Sequence, residues 1–351
     1  DIIAIDTDSR EQSAAEAGHR VRLATRRAVA TGAEVVTKID SLLRGQVAAE
    51  VAAGLAGLRS DRPLAVVAPA FPAVGRTTQG GLVYVDGVSQ GAAGDIGATL
   101  ERGGLATARL AVPTDPATLA TSFAQARDRG LDAVVVDAVT DDDLARVLWA
   151  CRAAPFPVLP VGSGGLTRPY ARLLPGGEPR PVHPGLTGPV LTVVGSHTPA
   201  ARRQLAALRA AGVTAVTLRD DGHDRSGDVS RALTTGAALV CFDPTVAVDE
   251  RRSPVIARQV AAAVVPCLTQ CGTLVATGGA TARTILEVAG ILEATVLGEL
   301  EPGVMYGQAG SHAGLRIVTK SGSFGDDRVL IRCLLAATPV IRTHNRNEGG
   351  K

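Results

Sequence analysis

The sequence predicts an α/β protein of two domains, each a largely parallel sheet flanked by helices, with an active site in the cleft between the domains. Three observations predict this. Short apolar, β-branched runs alternate with amphipathic helical stretches along the 351 residues. The runs are continuously apolar, as strands covered on both faces are. One stretch, Leu174–Gly185, carries four prolines and three glycines. No regular element tolerates that composition, so it reads as a linker between domains at 1–178 and 186–340.

Taken in order, the first domain opens on Ile2–Asp6, which has the composition of a strand already in progress. Strands are then expected at Glu34–Ile39, Leu64–Ala68, Ala106–Val112, Ala133–Val136 and Pro157–Val161. Helices are expected at Ala14–Thr31, Val47–Leu58, Pro116–Arg129 and Asp141–Ala153. Thr140-Asp-Asp-Asp143 looks like an acidic metal cluster but sits where a helix starts, so capping by Thr140 or Asp141 explains it better. The second domain repeats the alternation. Its strands are Val190–Val194, Ala215–Leu218, Ala238–Phe242, Thr273–Ala276 and Leu315–Thr319. Its helices lie near Pro199–Ala211, Ser226–Thr235, Pro254–Gln270, Thr281–Ala289 and Asp326–Ala337.

Composition narrows the function. Aromatics make up 3% of the chain and the net charge is +2 without a dense Lys/Arg stripe, which argues against nucleic acid and membrane surfaces. No apolar run reaches the roughly 20 residues that cross a bilayer, and no signal peptide opens the chain, so a cytoplasmic location is expected. Cys151, Cys241, Cys267, Cys271 and Cys333 are odd in number and fit no zinc or disulfide spacing, so buried free thiols are expected. Lysine occurs only at 38, 320 and 351 in a chain that otherwise uses arginine. A compact ammonium at Lys38 and Lys320 therefore draws attention as an anion ligand.

In open parallel sheets, ligands bind beyond the carboxyl ends of strands. The second domain has three strand–glycine–helix turns there: Gly195-Ser-His-Thr-Pro199, Gly278-Gly-Ala-Thr281 and Lys320-Ser-Gly-Ser-Phe-Gly325. Each offers backbone N–H groups to an anion. Together they suggest a polyphosphate, with Ser196, Thr281 and Ser321 as hydroxyl donors and Lys320 as the charge. His197 fits a neutral surface or capping role better than a ligand role. The P-loop pattern is absent, and Gly162-Ser-Gly-Gly165 has the wrong spacing for a dinucleotide fingerprint. The first domain carries a mixed-sign polar set instead. Asp8 and Arg10, then Lys38, Asp40, Ser41 and Arg44, then Arg76 with Thr77 and Thr78, each follow a strand end. Such a set suits a small polyhydroxylated anion.

Lys38-Ile-Asp-Ser-Leu-Leu-Arg-Gly45, Pro69-Ala-Phe-Pro-Ala-Val-Gly-Arg-Thr-Thr78 with Tyr84-Val-Asp-Gly87, Thr277-Gly-Gly-Ala-Thr-Ala282 and Lys320-Ser-Gly-Ser-Phe-Gly325 resemble the four-carbon acid sugar kinase family. Ile5–Arg10, Asp137–Leu144 and Val161–Leu166 add to the resemblance, which runs in order over residues 3 to 336. It implies an N-terminal domain for the sugar acid, a C-terminal domain for ATP, and phosphoryl transfer to a hydroxyl of acids such as erythronate, threonate or 3-oxo-tetronate; for such a transfer Mg²⁺ is expected to bridge the ATP phosphates. It carries Ser196, Gly278, Gly279, Ala280, Thr281, Lys320, Ser321, Gly322 and Gly325 to ATP. Asp8, Arg10, Lys38, Asp40, Ser41 and Arg44 go to the acid, joined by Arg76 from the polar set above, with Lys38, Asp40 and Arg44 as candidates at the transfer site. Family members usually begin with an Asp-Asp-x-Thr-Gly-Ala strand end. Its absence leads to the expectation of a segment upstream of Asp1, and it leaves the catalytic base unassigned. Two other readings stay open: a sugar-acid dehydrogenase or isomerase, and a sugar-acid and nucleotide-binding protein with impaired or no turnover. A homodimer is compatible with the sequence.

Overall fold

The most apolar runs flanked by turn residues, Leu64–Ala68, Ala133–Val136, Val190–Val194 and Thr273–Thr277, become central strands buried along their whole length, and amphipathic stretches become the helices that cover them. The computed structural model describes residues 2–58, 60–112, 115–174, 185–221, 223–243, 253–312 and 314–337. The chain divides into two compact units, Asp1–Pro179 and Arg180–Lys351. The proline-rich stretch read as a linker lies almost wholly outside the described residues, as do the polar residues after Thr343.

In the first unit the order is α1 (Ala14–Ala30), β1 (Thr37–Lys38), α2 (Val47–Gly57), β2 (Leu64–Ala68), β3 (Arg76–Gln79), β4 (Leu82–Val85), β5 (Val88–Ser89), α3 (Ile96–Arg102), β6 (Thr107–Leu110), α4 (Pro116–Asp128), β7 (Ala133–Val136), α5 (Asp141–Ala153), β8 (Val158–Gly162) and α6 (Thr167–Arg172). Five strands form a fully parallel sheet in the order β1-β8-β2-β7-β6. All five residues of β2 are buried, which is why its sequence is continuously apolar. Leu64, Val66 and Ala68 face one layer with Phe123 of α4 and Leu144 and Leu148 of α5. Ala65 and Val67 face the other with Val47 and Val51 of α2 and Leu100 of α3. The alternation is the two-residue period of a strand.

In the second unit the order is β9 (Val190–Val194), α7 (Pro199–Ala210), β10 (Thr214–Leu218), α8 (Ser226–Leu233), β11 (Ala237–Phe242), α9 (Ser253–Val264), β12 (Thr273–Thr277), α10 (Gly279–Val288), β13 (Ala294–Glu301), β14 (Val304–Ala309), β15 (Arg316–Lys320) and α11 (Val329–Ala337). The seven-stranded sheet runs β10-β11-β9-β12-β15-β14-β13, parallel through β15 and antiparallel in its last two pairings. Leu191 and Val193 of β9 meet α8 and α9 on one face. Val190 and Val194 meet α7 and α11 on the other.

Several expectations are corrected. Ile2–Asp6 forms no strand, and Ile2 and Ile3 are 72% and 83% exposed. Composition alone makes no strand where no neighbour supplies ladder bonds. Glu34–Ile39 shortens to Thr37–Lys38 for a related reason: β1 is an edge strand with one partner, β8. The helix expected at Asp326–Ala337 begins at Val329, and Pro254–Gln270 turns 3₁₀ from Val265 onward. An antiparallel sheet of β3, β4 and β5 was not anticipated, nor was the β13–β14 hairpin. Their turns were visible as Gly80-Gly81, Asp86-Gly87 and Pro302-Gly303. All but Pro302 have positive φ, which suits two-residue hairpin turns.

Thr140 caps α5 in a reciprocal box with Asp143, so the acidic run is a helix start. All five cysteines are buried and unbridged. No helix among the described residues is long and apolar enough to cross a membrane.

Candidate functional site

In the first unit, β1, β8 and β2 end level with one another, because Lys38 and Ala68 both pair with Gly162. The loops that follow carry the polar set. Asp40 nucleates the β1–α2 turn: its Oδ1 accepts the Leu42 N–H at 2.9 Å, an Asx-type turn. Asp40 and Ser41 do not cap α2, whose N-cap is Gln46. The carboxylate instead gathers arginines. Its Oδ2 accepts from Arg10 and from Arg44, both at 2.8 Å, and its Oδ1 accepts from Arg44 Nε at 3.1 Å. Gly45, at φ +91°, lets the chain at Arg10 approach; a Cβ there would lie 3.3 Å from Arg10 Cα.

Burial alone would raise the Asp40 carboxyl, but hydrogen bonds from Arg44 and Leu42 and the charges of Arg44 and Arg10 outweigh it. The pKa is held at about 2. With both oxygens engaged and the proton so weakly held, Asp40 is an anchor for two guanidinium groups and a poor general base.

Arg76 is 6% exposed and donates to the buried Ser41 hydroxyl. It starts β3, and mutual Phe71–Arg76 backbone bonds hold it in place. Gly75 makes this turn: a Cβ there would fall 2.0 Å from Asp86 Oδ1. Lys38 is exposed as a residue, yet desolvation by the surrounding protein lowers its ammonium pKa; Asp40 opposes the shift, and Arg10 adds to it. Unlike the three arginines, it has no hydrogen bond or ion pair among the described residues. Four cations thus surround one saturated carboxylate, with Glu50 nearby and bonded to Ser9. Asp8 stands apart, facing Arg20 at 3.7 Å. Gly162-Ser-Gly-Gly165 is a packing turn: a Cβ on Gly165 would lie 2.1 Å from the Ala70 carbonyl oxygen.

In the second unit, β9, β12 and β15 also end together, since Thr277 pairs with both Val194 and Lys320. Their glycine turns interlock. A Cβ on Gly195 would lie 2.0 Å from Thr281 Oγ1, and one on Gly322 would lie 1.9 Å from Ser196 Oγ. Gly278, at φ +99°, is the N-cap of α10 and lends it no side-chain cap. The first amides of α10, at Gly279, Ala280 and Thr281, therefore lack the usual side-chain acceptor. Ser321 and Ser323 share a hydroxyl contact of 3.3 Å beside them.

Lys320 is 4% exposed. Its Nζ donates to Gln204 Oε1 at 2.9 Å and Thr277 Oγ1 at 3.1 Å, and no carboxylate lies within ion-pair distance among the described residues. Desolvation lowers its pKa to about 8, partly offset by the charge of Glu301. A buried ammonium with two neutral acceptors and one spare donor favours an anion. Gln204 was missed from sequence. Its only signal is a polar residue on the apolar stripe Ala201–Leu205–Leu208 of α7. His197 is not a cap; Thr198 caps α7. Its Nε2 is buried without a partner among the described residues, and desolvation and the charge of Arg202 lower the ring's pKa. No group of three metal-ligating side chains occurs among the described residues.

Comparison with known proteins assigns the two units separately. Residues 1–95 and 98–170 match a sugar-binding N-terminal domain, and residues 191–330 match a nucleotide-binding C-terminal domain. A D-threonate kinase of Cupriavidus necator is 36% identical over 370 residues, spanning 96% of this chain and 88% of the relative. A D-threonate kinase of Bordetella bronchiseptica is 35% identical over 361 residues, spanning 96% and 86%. The crystal structure of a Haemophilus influenzae protein shares the fold at 20% identity and TM-score 0.66, over 91% of this chain and 86% of that one.

Proposed function

The chain belongs to the four-carbon acid sugar kinase family, and on that premise we propose that it transfers the γ-phosphoryl group of ATP to a hydroxyl of a four-carbon sugar acid, D-threonate first among them. The observation that carries the reading is Lys320, a buried ammonium with no carboxylate at ion-pair distance among the described residues, where three glycine turns meet. A polyphosphate supplies the missing anion, and the open amides of α10 supply further donors.

The sugar acid falls to the first unit. Arg10 and Arg44, aligned by Asp40, and Arg76, held by Ser41, offer paired N–H donors to a carboxylate. Lys38 is the cation left for the ligand's hydroxyls or the transferring phosphoryl group. Asp8, occupied by Arg20, has the weakest claim of the set.

Mg²⁺ enters as the MgATP substrate, held mainly by phosphate oxygens. Phosphoryl transfer through a loose transition state asks the protein for positioning and positive charge more than for a strong base. Each unit brings cations of its own, Lys38 and Arg44 in the first and Lys320 in the second, and the low pKa of Asp40 does not stand against the transfer.

A coupled ADP-release assay over D-threonate, D-erythronate and a 3-oxo-tetronate tests the reading. Acid-dependent ADP release at catalytic rates is expected. Nucleotide and acid binding without turnover would point to a binding protein instead. Thermal stabilisation by NAD(P)⁺ but not by MgATP would point to a dehydrogenase.

A further inference from the structure

We infer that Gln204 is a positioning residue for the nucleotide site, whose two amide ends set the Lys320 ammonium and the 324–326 backbone at a fixed spacing. The inference rests on the nucleotide-binding reading above.

Gln204 is fully buried on a face of α7 that is otherwise Ala201, Leu205 and Leu208. A buried amide is costly unless both ends are satisfied. Here Oε1 accepts from Lys320 Nζ at 2.9 Å. Nε2 faces the carbonyl oxygens of Phe324, Gly325 and Asp326 at 3.0, 3.1 and 3.0 Å. The orientation has no alternative: a flipped amide would set its NH₂ against an ammonium and its oxygen against three carbonyls. The same helix grips the loop again through Thr198 Oγ1, which donates to the Gly322 carbonyl at 2.7 Å. One helix thus holds both the charge and the loop, and Gln204 is where the two holds meet.

Neutrality matters as much as shape. The groups facing Lys320 are Thr277 from β12, Gln204 from α7, Cys333 from α11 and Glu301 from β13. Burial pushes the Cys333 thiol up to about 12, so it stays protonated. Glu301 is already paired with Arg332 at 2.7 Å. A glutamate in place of Gln204 would form an ion pair with Lys320 and spend the charge that a phosphate needs. It would also turn a carboxylate toward three carbonyls. The amide orients the ammonium without cancelling it.

The test is calorimetric titration of the full chain with MgADP and MgATP, without sugar acid, from pH 6.5 to 9.5. In the unaltered protein, affinity is expected to fall as pH rises through about 8, where Lys320 loses its proton. Gln204→Met should lower affinity about tenfold at pH 7 and start the fall at lower pH. Gln204→Glu should also lower affinity but start the fall at higher pH, because a carboxylate holds the Lys320 proton. In a Lys320→Met background the pH dependence should vanish and neither substitution should restore it. A residue that only supports folding would shift melting temperatures and leave the pH profile in place. That outcome overturns the inference while nucleotide binding stands. Gln204→Glu alone decides it if Gln204→Met does not fold. Failure of the unaltered protein to bind either nucleotide removes the nucleotide reading, and this inference with it.

Discussion

Asp40→Asn keeps the side-chain size and removes the charge that gathers Arg10 and Arg44. In the folded protein the carboxyl sits at about 2 against the usual 3.8. A depressed folded value stabilises the fold above the unfolded pKa, and the contribution is lost as pH falls through the folded one. The difference amounts to about 2 kcal/mol at pH 7 and about half of that at pH 3. The Asp40 side chain is 7% exposed, but its partners Arg10 and Arg44 are 49% and 54% exposed, so solvent screening trims the figure. Trp149, the only tryptophan, lies on α5 in the same unit, so its fluorescence follows the unfolding of that unit. Urea titrations are expected to show the variant less stable by about 1–2 kcal/mol at pH 7, with the gap halved at pH 3. A gap that is absent, or equal at the two pH values, refutes the argument that the charge of Asp40 holds this turn together.

Arg44→Ala should raise the KM for the sugar acid and leave that for ATP unchanged; an effect confined to ATP would contradict the assignment of acid to the first unit. Lys320→Ala should weaken MgATP binding by tenfold or more with acid binding intact, and unchanged kinetics would remove its role. Gly322→Ala places a Cβ 1.9 Å from Ser196 Oγ, so the 320–325 loop must shift. Nucleotide affinity should drop while the far-ultraviolet circular dichroism is kept, and an unchanged affinity would show that the close approach is dispensable.

Most strands and helices were legible because their signals are local. Leu64–Ala68, Ala133–Val136 and Val190–Val194 form as read, since an apolar run covered on both faces needs no long-range information to be recognised. Asp141–Ala153 was legible for the same reason, through its capping residue, its acidic first turn and its apolar period. Ile2–Asp6 misled because strand composition says nothing about whether a neighbouring strand is there to pair. The β13–β14 hairpin was missed because its first strand is half-exposed and lacks a continuous apolar run. The candidate ligands divide along the same line. Lys38, Arg44, Arg76 and Lys320 were visible by type and by position after a strand. Gln204 and the role of Asp40 as an arginine anchor were not.

By itself, then, the sequence determined most of the strands and helices and the kind of group at each strand end. Periodicity and residue type reside in a few consecutive positions. Only tertiary structure decided which of those groups meet. Lys320 reaches Gln204 across 116 residues and Arg76 reaches Ser41 across 35, through parallel pairing that brings distant strand ends level. It also decided that Lys320 has no carboxylate beside it among the described residues, and burial in such surroundings is what turns a lysine into an anion site.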